Sequence, residues 1–336
     1  MTVNPAGVAY SSVPTSSSVR GRPAQNRVRL PALVAALAFA LLFGGPRSAE
    51  AAGAQPWTVR DSVIYTRVDN TALTYDVFTP TNPNGAAVIS ILSGGWISSK
   101  ANGSPGLGAE FLRRGYTLFT ISHGSAPRYT IDEIVPQLMR AVRHIRANAR
   151  AYGIAPDRIG ITGSSAGGHL SLMIGLAGAA GDPAAKDAID QVSSRVQAIG
   201  AFYPPTDFLN YGHPDQDAAG RGTLADYRGA FAFHELSSNK RHFVPIVDEA
   251  RRREMARQIS PVTHVSSDDP PTLLVHGDQD KRVPLQQSEL IIERLKKAGV
   301  TTKLIVKPGE AHGWKDRSPE TAAIADWFDQ HLAPRK

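Results

Sequence analysis

Short runs of consecutive apolar residues recur along the chain, with segments of helical periodicity between them. Such runs are typical of strands buried on both faces of a sheet. They are AAVISIL (86–92), YTLFTIS (116–122), RIGIT (158–162), VQAIGAFY (196–203), PTLLVHG (271–277) and TKLIVKP (302–308). The alternation predicts an α/β fold, with a mostly parallel central sheet covered by helices on both faces.

The remaining pattern completes this outline. Residues 57–78 alternate apolar and polar positions about the dipeptide Asp69-Asn70, which predicts two antiparallel strands. An apolar stripe over 131–152 predicts a helix with Pro136 in its first turn, where the missing N–H is harmless. Further helices are predicted over 107–115, 166–177, 285–298 and 319–332.

Residues 204–260 interrupt the alternation between two predicted core strands. NYGHPDQDAAGRG has the composition of a loop, and VDEARRREMARQ that of a helix. We therefore expect a small cap insertion that lies over the edge of the sheet.

The first fifty residues differ from the rest in composition. Residues 1–29 carry four arginines and no acidic residue, the run LPALVAALAFALLF (30–43) is uncharged, and small residues follow up to Ala51. This order is typical of a secretion signal cleaved near an A-x-A site. The alternative is a retained membrane anchor, but fourteen residues rise only about 21 Å as a helix, against a hydrocarbon core of roughly 30 Å. We expect a signal peptide over 1–51, a catalytic domain over 52–336, and a secreted or periplasmic protein without stable membrane insertion.

Charge and cysteine content narrow the possible functions. The net charge of +7 includes +4 from the leader, which leaves +3 for the rest. The densest remaining basic run, RRREMAR, mixes in acidic and apolar residues, so we expect a solvated helix face and no nucleic-acid binding. The chain has no cysteine, which excludes disulfides, a thiol nucleophile and thiolate zinc sites.

The sequence GSSAG (163–167) fits the pattern G-x-S-x-G, with Ser165 at its centre. It lies between a predicted strand and a predicted helix, where the nucleophile elbow of the α/β-hydrolase fold requires it. Gly163 and Gly167 keep bulk away from the sharp turn. The neighbouring Ser164 is expected to point elsewhere.

A serine nucleophile needs a base, and the base needs an acid to orient it. In this fold the chain order is Ser, then Asp or Glu, then His, each on a loop after a strand. His312 follows the strand TKLIVKP, whereas His331 falls in the terminal helix, so His312 is the predicted base. The loop HGDQDKRVP offers both Asp278 and Asp280, and we favour Asp280 because Asp278 stands close to the strand end.

Two backbone donors are needed for the oxyanion that forms during acyl transfer. Ala166, directly after the nucleophile, is predicted to supply one N–H group. The other is expected from Gly94, Gly95 or Trp96 in the loop SGGW, because consecutive glycines let N–H groups face a ligand.

Together these residues resemble the α/β-hydrolase esterases, especially the branch of acetyl and feruloyl esterases and prolyl-oligopeptidase-like enzymes. The resemblance covers about residues 60–333 through three ordered blocks, GITGSSAGGHLSL, ISPVTHVSSDDPPTLLVHGDQDKRVPLQQSE and KPGEAHGW. It implies Ser165, Asp280 and His312 as the catalytic triad. The usual oxyanion loop of the family is H-G-G-G-[FW], whereas this chain has LSGGW, and SHGSAPRYT stands where the family has Y-R-L. For His123 in that segment two roles stay open, a place in the pocket lining or a structural role in the loop, and we favour the structural role.

These features predict an exported serine carboxylic-ester hydrolase that acts on small-molecule or carbohydrate esters, including acetyl or feruloyl esters of polysaccharides. The mechanism needs no metal or organic cofactor. Two alternatives stay open: a serine peptidase acting on short peptides, because the same triad cleaves amides, and a non-catalytic binding protein on the same fold. Acyl and alcohol specificity and the oligomeric state do not follow from the sequence.

Overall fold

Eight strands form the central sheet of the computed structural model, which describes residues 56–101 and 104–334. The strands of the described residues are β1 (Trp57–Val68), β2 (Thr71–Pro80), β3 (Ala87–Ile91), β4 (Ser93–Gly94), β5 (Ile97–Ser98), β6 (Thr117–Ile121), β7 (Ile159–Ser164), β8 (Ala198–Phe202), β9 (His234–Leu236), β10 (Phe243–Pro245), β11 (Thr272–Gly277) and β12 (Thr302–Lys307).

The helices alternate with these strands. The α-helices are α1 (Ala109–Arg113), α2 (Ile131–Ala147), α3 (Ala166–Leu176), α4 (Glu249–Gln258), α5 (Gln286–Lys297) and α6 (Ser318–His331). Short 3-10 segments cover Gly106–Gly108, Ala149–Tyr152, Gly222–Phe231 and Pro261–Thr263.

The order of strands in the sheet is β1-β2-β6-β3-β7-β8-β11-β12. β1 pairs antiparallel with β2, and β2 antiparallel with β6, while all pairs from β6 to β12 are parallel. The predicted mostly parallel sheet is therefore confirmed. Its parallel strands end at one common edge, where ligands bind in sheets of this kind.

Helices cover both faces of the sheet, as predicted. The apolar side chains of α2, α3 and α5 pack against one face, where Ile89, Ile161 and Leu274 are fully buried. Those of α1 and α6 pack against the other, with Val88 and Leu273 of the sheet. Each central strand thus contributes alternate residues to two apolar layers.

Two expectations about individual elements are wrong. Pro136 is the sixth residue of α2 and lies in its second turn, because a capping box of Thr130 and Glu133 starts the helix at Ile131. The run TKLIVKP is only partly buried, with Val306 40% exposed, because β12 is the edge strand and has β11 as its single neighbour.

The segment 204–260 contains the predicted helix α4, and also the small hairpin of β9 and β10, which the sequence did not indicate. It joins the core through Phe208 and Phe231, both fully buried in the same apolar cluster as Trp96. This part of the chain therefore packs directly beside the glycine loop that follows β3.

The predicted leader, residues 1–51, lies outside the described residues. Within the described residues, none of the helices has the length and apolar character needed to cross a bilayer.

Candidate active site

Ser165 lies at the sharp turn between β7 and α3. Its backbone has φ 55° and ψ −121°, a conformation that residues with a side chain rarely adopt. A Cβ on Gly163 would lie 2.4 Å from the carbonyl oxygen of Gly167, and one on Gly167 would lie 2.5 Å from that of Ile91. No side chain fits at either glycine, because the added Cβ would clash with backbone atoms, which cannot move aside as a flexible side chain can. The turn has the geometry of a nucleophile elbow and presents the Ser165 side chain at the carboxyl edge of the sheet.

The hydroxyl of Ser165 faces His312, on the loop after β12. Ser165 Oγ lies 2.9 Å from His312 Nε2, and His312 Nδ1 lies 2.7 Å from Asp280 Oδ2. A carboxylate only accepts hydrogen bonds, so Nδ1 of His312 carries the proton and donates it to Asp280. Nε2 then accepts from the Ser165 hydroxyl, which is the tautomer that a general base needs. Three side chains from three separate loops thus form one hydrogen-bonded chain.

Asp280 is held by its own loop as well as by the histidine. Its Oδ1 accepts hydrogen bonds from the backbone N–H groups of Arg282 and Val283, each 2.9 Å long. Burial by itself would raise the pKa of this carboxyl. The close contact with His276 and the hydrogen bond from His312 outweigh the burial and hold the pKa of Asp280 well below its ordinary range. Asp280 is therefore ionised at neutral pH and can orient an imidazole.

His276 belongs to this arrangement, and sequence reasoning missed it. It is fully buried at the end of β11, with Nε2 3.5 Å from Asp280 Oδ2. Nε2 donates to the carbonyl oxygen of Val283 at 2.8 Å, and Nδ1 pairs with the Ser288 hydroxyl at 2.8 Å. His276 thus ties the acid loop to α5. A histidine inside the apolar run PTLLVHG, four residues before the acid, was the available signal.

Asp278, the other acid candidate, has a different position. Its side chain is exposed, and its Oδ1 accepts hydrogen bonds from the Gly309 N–H at 2.7 Å and from Gln279 Nε2 at 3.1 Å. It therefore joins the loops that follow β11 and β12, and it is Asp280 that contacts His312.

The candidate oxyanion residues lie on a tight hairpin. β4 and β5 pair Ser93 with Ser98 and Gly94 with Ile97, which leaves Gly95 and Trp96 as the two turn residues. Both have positive φ, 57° and 61°, as a type I′ turn requires. The N–H groups of these two residues lie outside the ladder of the hairpin, whereas Gly94 takes part in it.

Ala166 is the first residue of α3, so its N–H has no acceptor within the helix. A Cβ on Gly167 would lie 3.4 Å from the carbonyl oxygen of Ser93, which shows how closely this first helical turn packs against the start of the hairpin. The predicted donors on the two segments therefore lie on neighbouring pieces of backbone.

Trp96 anchors the hairpin to α3. Its side chain is 1% exposed, and its Nε1 donates to Nδ1 of His169 at 3.1 Å. Nε2 of His169 in turn donates to the carbonyl oxygen of Ile259 at 2.8 Å, so this histidine is neutral with its proton on Nε2. Burial lowers the pKa of His169 to about 4, which keeps that neutral form at physiological pH.

Two further residues lie near His312, and the sequence patterns did not predict either of them. Tyr203, with φ 37°, follows β8, and its ring centroid lies 4.6 Å from that of His312 in an edge-on arrangement. Arg317 Nη1 donates to the Tyr203 hydroxyl at 2.6 Å and to Ser164 Oγ at 3.1 Å. Ser164 thus points away from His312, as expected. The aromatic residue that ends the apolar run VQAIGAFY was the signal for Tyr203.

His123 has the structural position expected of it. It is 4% exposed, its Nδ1 donates to the Gly124 carbonyl oxygen at 2.5 Å, and its backbone N–H donates to Ser98 Oγ at 3.0 Å. Among the described residues, the His, Asp and Glu side chains form no group of three or more suited to a metal ion.

Comparison with known proteins yields one family and several named relatives. The BD-FAE family profile matches residues 75–295. The probable carboxylic ester hydrolase LipM of Mycobacterium tuberculosis is 30% identical over 207 residues, which cover 61% of this chain and 44% of LipM. Esterase LipQ of the same organism is 28% identical over 227 residues, covering 67% of this chain and 49% of LipQ. The chain thus spans about half the length of these curated relatives.

Solved structures give likenesses over a larger share of the chain. Esterase 2 of Thermogutta terrifontis, phosphonylated by sarin, is 25% identical with a TM-score of 0.62, covering 82% of this chain and 96% of that one. A carbohydrate esterase from gut microbiota has a TM-score of 0.64 at 24% identity, with the same coverage of both chains. These likenesses confirm the α/β-hydrolase fold expected from the sequence.

Proposed function

The chain belongs to the BD-FAE family, and from this premise we propose that it is a serine carboxylic-ester hydrolase that works through an acyl-enzyme. The observation that carries the proposal is the hydrogen-bonded chain from Asp280 through His312 to the Ser165 hydroxyl. Relatives named as esterases or ester hydrolases support the same reaction class.

In the proposed reaction, Ser165 Oγ attacks the ester carbonyl carbon while His312 Nε2 takes the hydroxyl proton. The tetrahedral intermediate collapses, and His312 gives that proton to the departing alkoxide. Water then attacks the acyl-enzyme with His312 again as base, which releases the acid and restores Ser165. Asp280 stays ionised throughout and stabilises the imidazolium form of the base.

The negative oxygen of the intermediate needs donors that are already in place. We assign this role to the N–H of Ala166 together with an N–H of the turn Gly95-Trp96. The positive φ values of the two turn residues and the free position of Ala166 at the helix start support the assignment. Donors of this kind are each worth about 3–4 kcal/mol in acyl transfer.

Acetyl or feruloyl esters of polysaccharides, or small esters, are the proposed substrates. Two structural neighbours support the carbohydrate option: the gut carbohydrate esterase, and an acetyl ester-xyloside bifunctional hydrolase from Caldicellulosiruptor lactoaceticus. The segment 204–260 is proposed to set the acyl and alcohol preference, because it packs around Trp96 next to the catalytic loops. Hydrolysis rates on acetylated xylan, feruloylated xylan and p-nitrophenyl acetate would rank these classes.

Export is a further part of the proposal, and it rests on the composition of residues 1–51 alone. The test is to express the full chain and sequence the N-terminus of the product found outside the cytoplasm. A product that begins near Ala51 agrees with a cleaved signal, whereas an intact chain retained in the cytoplasm contradicts it.

The central experiment is covalent labelling with a fluorophosphonate probe, followed by hydrolysis of p-nitrophenyl acetate. Ser165→Ala should abolish labelling and lower turnover about a millionfold, because no other hydroxyl lies against His312 Nε2 among the described residues. Ser171→Ala is the matched control, since its hydroxyl only donates to the Gly167 carbonyl oxygen within α3. Labelling that persists in Ser165→Ala, or fails in folded wild type, contradicts the mechanism.

A pair of conservative variants tests the acid. Asp280→Asn should lower kcat about ten-thousandfold, because an amide in that position stabilises the wrong tautomer of the histidine. Asp278→Asn keeps the charge next to His312 intact and should retain most of the activity. Equal losses in both variants would reject Asp280 as the orienting acid.

Cleavage of aminoacyl p-nitroanilides separates ester from amide chemistry. An ester hydrolase should cleave p-nitrophenyl acetate far more efficiently. Efficient anilide cleavage would instead assign the chain as a peptidase, and a lack of both activities in a protein that folds would favour a binding role.

A further inference from the structure

A cavity lies beside the elbow, on the face of the sheet covered by α1 and α6. It measures about 490 Å³, opens to solvent, and is lined by the sheet, the end of β7 and the described residues of the loop that follows β5. Its lining includes Ser164 and Gly94 but neither Ser165 nor His312. The cavity is therefore a neighbour of the proposed ester site and a separate space.

The floor of the cavity is a row of hydroxyl groups on three adjacent strands. Ser90 of β3 pairs with Thr120 of β6 and with Thr162 of β7 in the sheet register, so the three residues stand side by side. All three line the cavity. Val88 and Leu118 on this face are apolar, whereas the row continues from Thr120 to its register partner Asp76 of β2, a buried carboxylate whose Oδ1 accepts a hydrogen bond from the Ser62 N–H at 2.8 Å. The row is therefore a polar strip across a largely apolar face of the sheet.

Some of these polar atoms have no hydrogen-bond partner among the described residues. Thr120 is 3% exposed and its Oγ1 is unpaired, and the same holds for the buried Oγ of Ser93, which also lines the cavity. Buried polar atoms are nearly always paired, because an unpaired one costs free energy. Hydroxyls in this position are suited to a ligand that can donate and accept hydrogen bonds.

The charge of the lining is positive. Among the described lining residues, the charged side chains are those of Arg317 and of Lys100, whose Nζ donates to Ser62 Oγ at 2.8 Å, and none is an Asp or Glu. Arg317 is half-buried over the ring of Phe202, yet no described carboxylate lies within 4.0 Å of its guanidinium, and its buried Nε has no partner. By contrast, Arg114 and Arg140 at the surface each contact two aspartates. A partly buried guanidinium without a counter-ion is stabilised by an anion, and its fork matches carboxylate and phosphate oxygens.

We propose that this cavity binds a small hydroxylated molecule that carries a carboxylate or phosphate group, such as a sugar acid or a sugar phosphate. Arg317 pairs with the anionic group, Lys100 adds long-range attraction from the loop, and the row of Ser90, Thr120 and Thr162 binds the ligand hydroxyls. Because Arg317 also donates to Ser164 and to Tyr203, whose ring contacts His312, the ligand would lie next to the elbow without touching Ser165 or His312 directly. Binding itself requires no hydrolysis, so this proposal stands or falls separately from the proposed ester hydrolase.

Calorimetric titration of the full chain tests the proposal, with glucuronate, glucose 6-phosphate and glucose as probes. Either anionic probe should bind at least about tenfold more tightly than glucose, which has the same hydroxyl groups and no charge. Tighter binding of glucuronate identifies a carboxylate ligand, and tighter binding of glucose 6-phosphate identifies a phosphate ligand. Equal affinity for all three, or no saturable binding of any, overturns the proposal.

Variants locate the binding to the cavity. Arg317→Gln should lower the affinity for the tighter-binding anionic probe about tenfold or more, because the substitution removes the charge-assisted hydrogen bonds. Arg241→Gln, an exposed arginine in the segment 204–260, is the matched control and should bind as wild type. Thr120→Val keeps the shape of the side chain and removes only the hydroxyl. It should lower the affinity for glucuronate and for glucose 6-phosphate about threefold. Should Arg317→Gln fail to fold, Lys100→Gln on the exposed loop replaces it, with a weaker loss expected.

Repeating the titration on Ser165→Ala separates the two proposals. Binding that persists in this variant supports the cavity independently of esterase activity. Anion binding lost in Ser165→Ala while Arg317→Gln binds as wild type would move the anion to the ester site and contradict the second site.

Discussion

The elbow around Ser165 and the hairpin around Gly95 are both tight turns with glycine, but different neighbours hold them. At the elbow, the atoms that exclude a side chain from Gly163 and Gly167 are backbone carbonyls of the sheet and of α3. At the hairpin, a Cβ on Gly95 would meet the ring of Tyr227 at 2.3 Å, which is a side chain of the segment 204–260. The elbow is thus part of the fold itself, whereas the hairpin is shaped by an insertion.

Further contacts of the hairpin strengthen this difference. The Trp96 ring lies 5.8 Å from Phe208, 6.1 Å from Tyr227 and 5.2 Å from Phe231, and all three belong to the inserted segment. Changes in that segment would therefore act on the proposed oxyanion donors as well as on the substrate pocket. The nucleophile can stay in place while the donors adapt.

The largest effect is expected when the elbow is forced open. Gly163→Ala places a Cβ 2.4 Å from the Gly167 carbonyl oxygen, and neither backbone segment can move aside without shifting Ser165. Esterase activity should fall about a hundredfold, and the free energy of unfolding by about 3 kcal/mol. Activity assays and urea unfolding measure the two quantities. Gly160→Ala in the same strand is the control: its neighbours are the side chains of Phe328 in α6 and of Leu332 directly after α6, so it should lower stability and keep activity.

A smaller effect, reversible by a second substitution, is expected at the hairpin. Gly95→Ala adds the strain of a positive φ, about 1–2 kcal/mol, and a clash with the Tyr227 ring, so kcat/KM should fall about tenfold. Adding Tyr227→Ala removes the clash and should recover about half of that loss on a logarithmic scale. Gly299→Ala, with φ 83° and no neighbour within 4 Å, controls for backbone strain alone. A double variant as poor as Gly95→Ala would show that side chains of the insertion do not shape the hairpin.

The smallest effect on activity is expected at the hydrogen bond between Trp96 of the hairpin and His169 of α3, which changes the free energy of unfolding only as pH falls below neutral. The folded pKa of His169, lowered to about 4, lies below the ordinary value of about 6.5, so the unfolded chain binds a proton that the folded chain does not. The free energy of unfolding that depends on neutral His169 is fully present above pH 6.5. It decreases by roughly 3 kcal/mol as pH falls towards 4.

Urea unfolding between pH 7 and pH 4.5 measures this contribution. His169→Gln should reduce the pH slope of the unfolding free energy by about one proton, and His123→Gln should do the same, because burial lowers the pKa of His123 to about 4 as well. Slopes identical to wild type in both variants would contradict the assignment of buried neutral histidines.

Much of the fold follows from local sequence patterns. The runs of apolar residues and the stripe over 131–152 predicted strands and helices near their observed bounds, because burial on both faces or on one stripe imposes its own period. The edge position of β12 and the true place of Pro136 were not predictable in this way, since each depends on a neighbouring strand or on which residue caps the helix.

The sequence by itself determined the chain order of Ser165, Asp280 and His312, because each residue follows a recognisable strand and the fold admits one order. Tertiary structure alone decided that Asp280 contacts His312 while Asp278 ties two loops together, and that His276 and Tyr203 support them. It also decided that Arg317, which has no carboxylate partner among the described residues, lines the cavity beside the elbow, and that the LSGGW loop packs against an insertion more than a hundred residues away. Contacts between side chains so far apart in the chain produce no periodic pattern of apolar and polar residues, because only the packed sheet brings the side chains within hydrogen-bond distance.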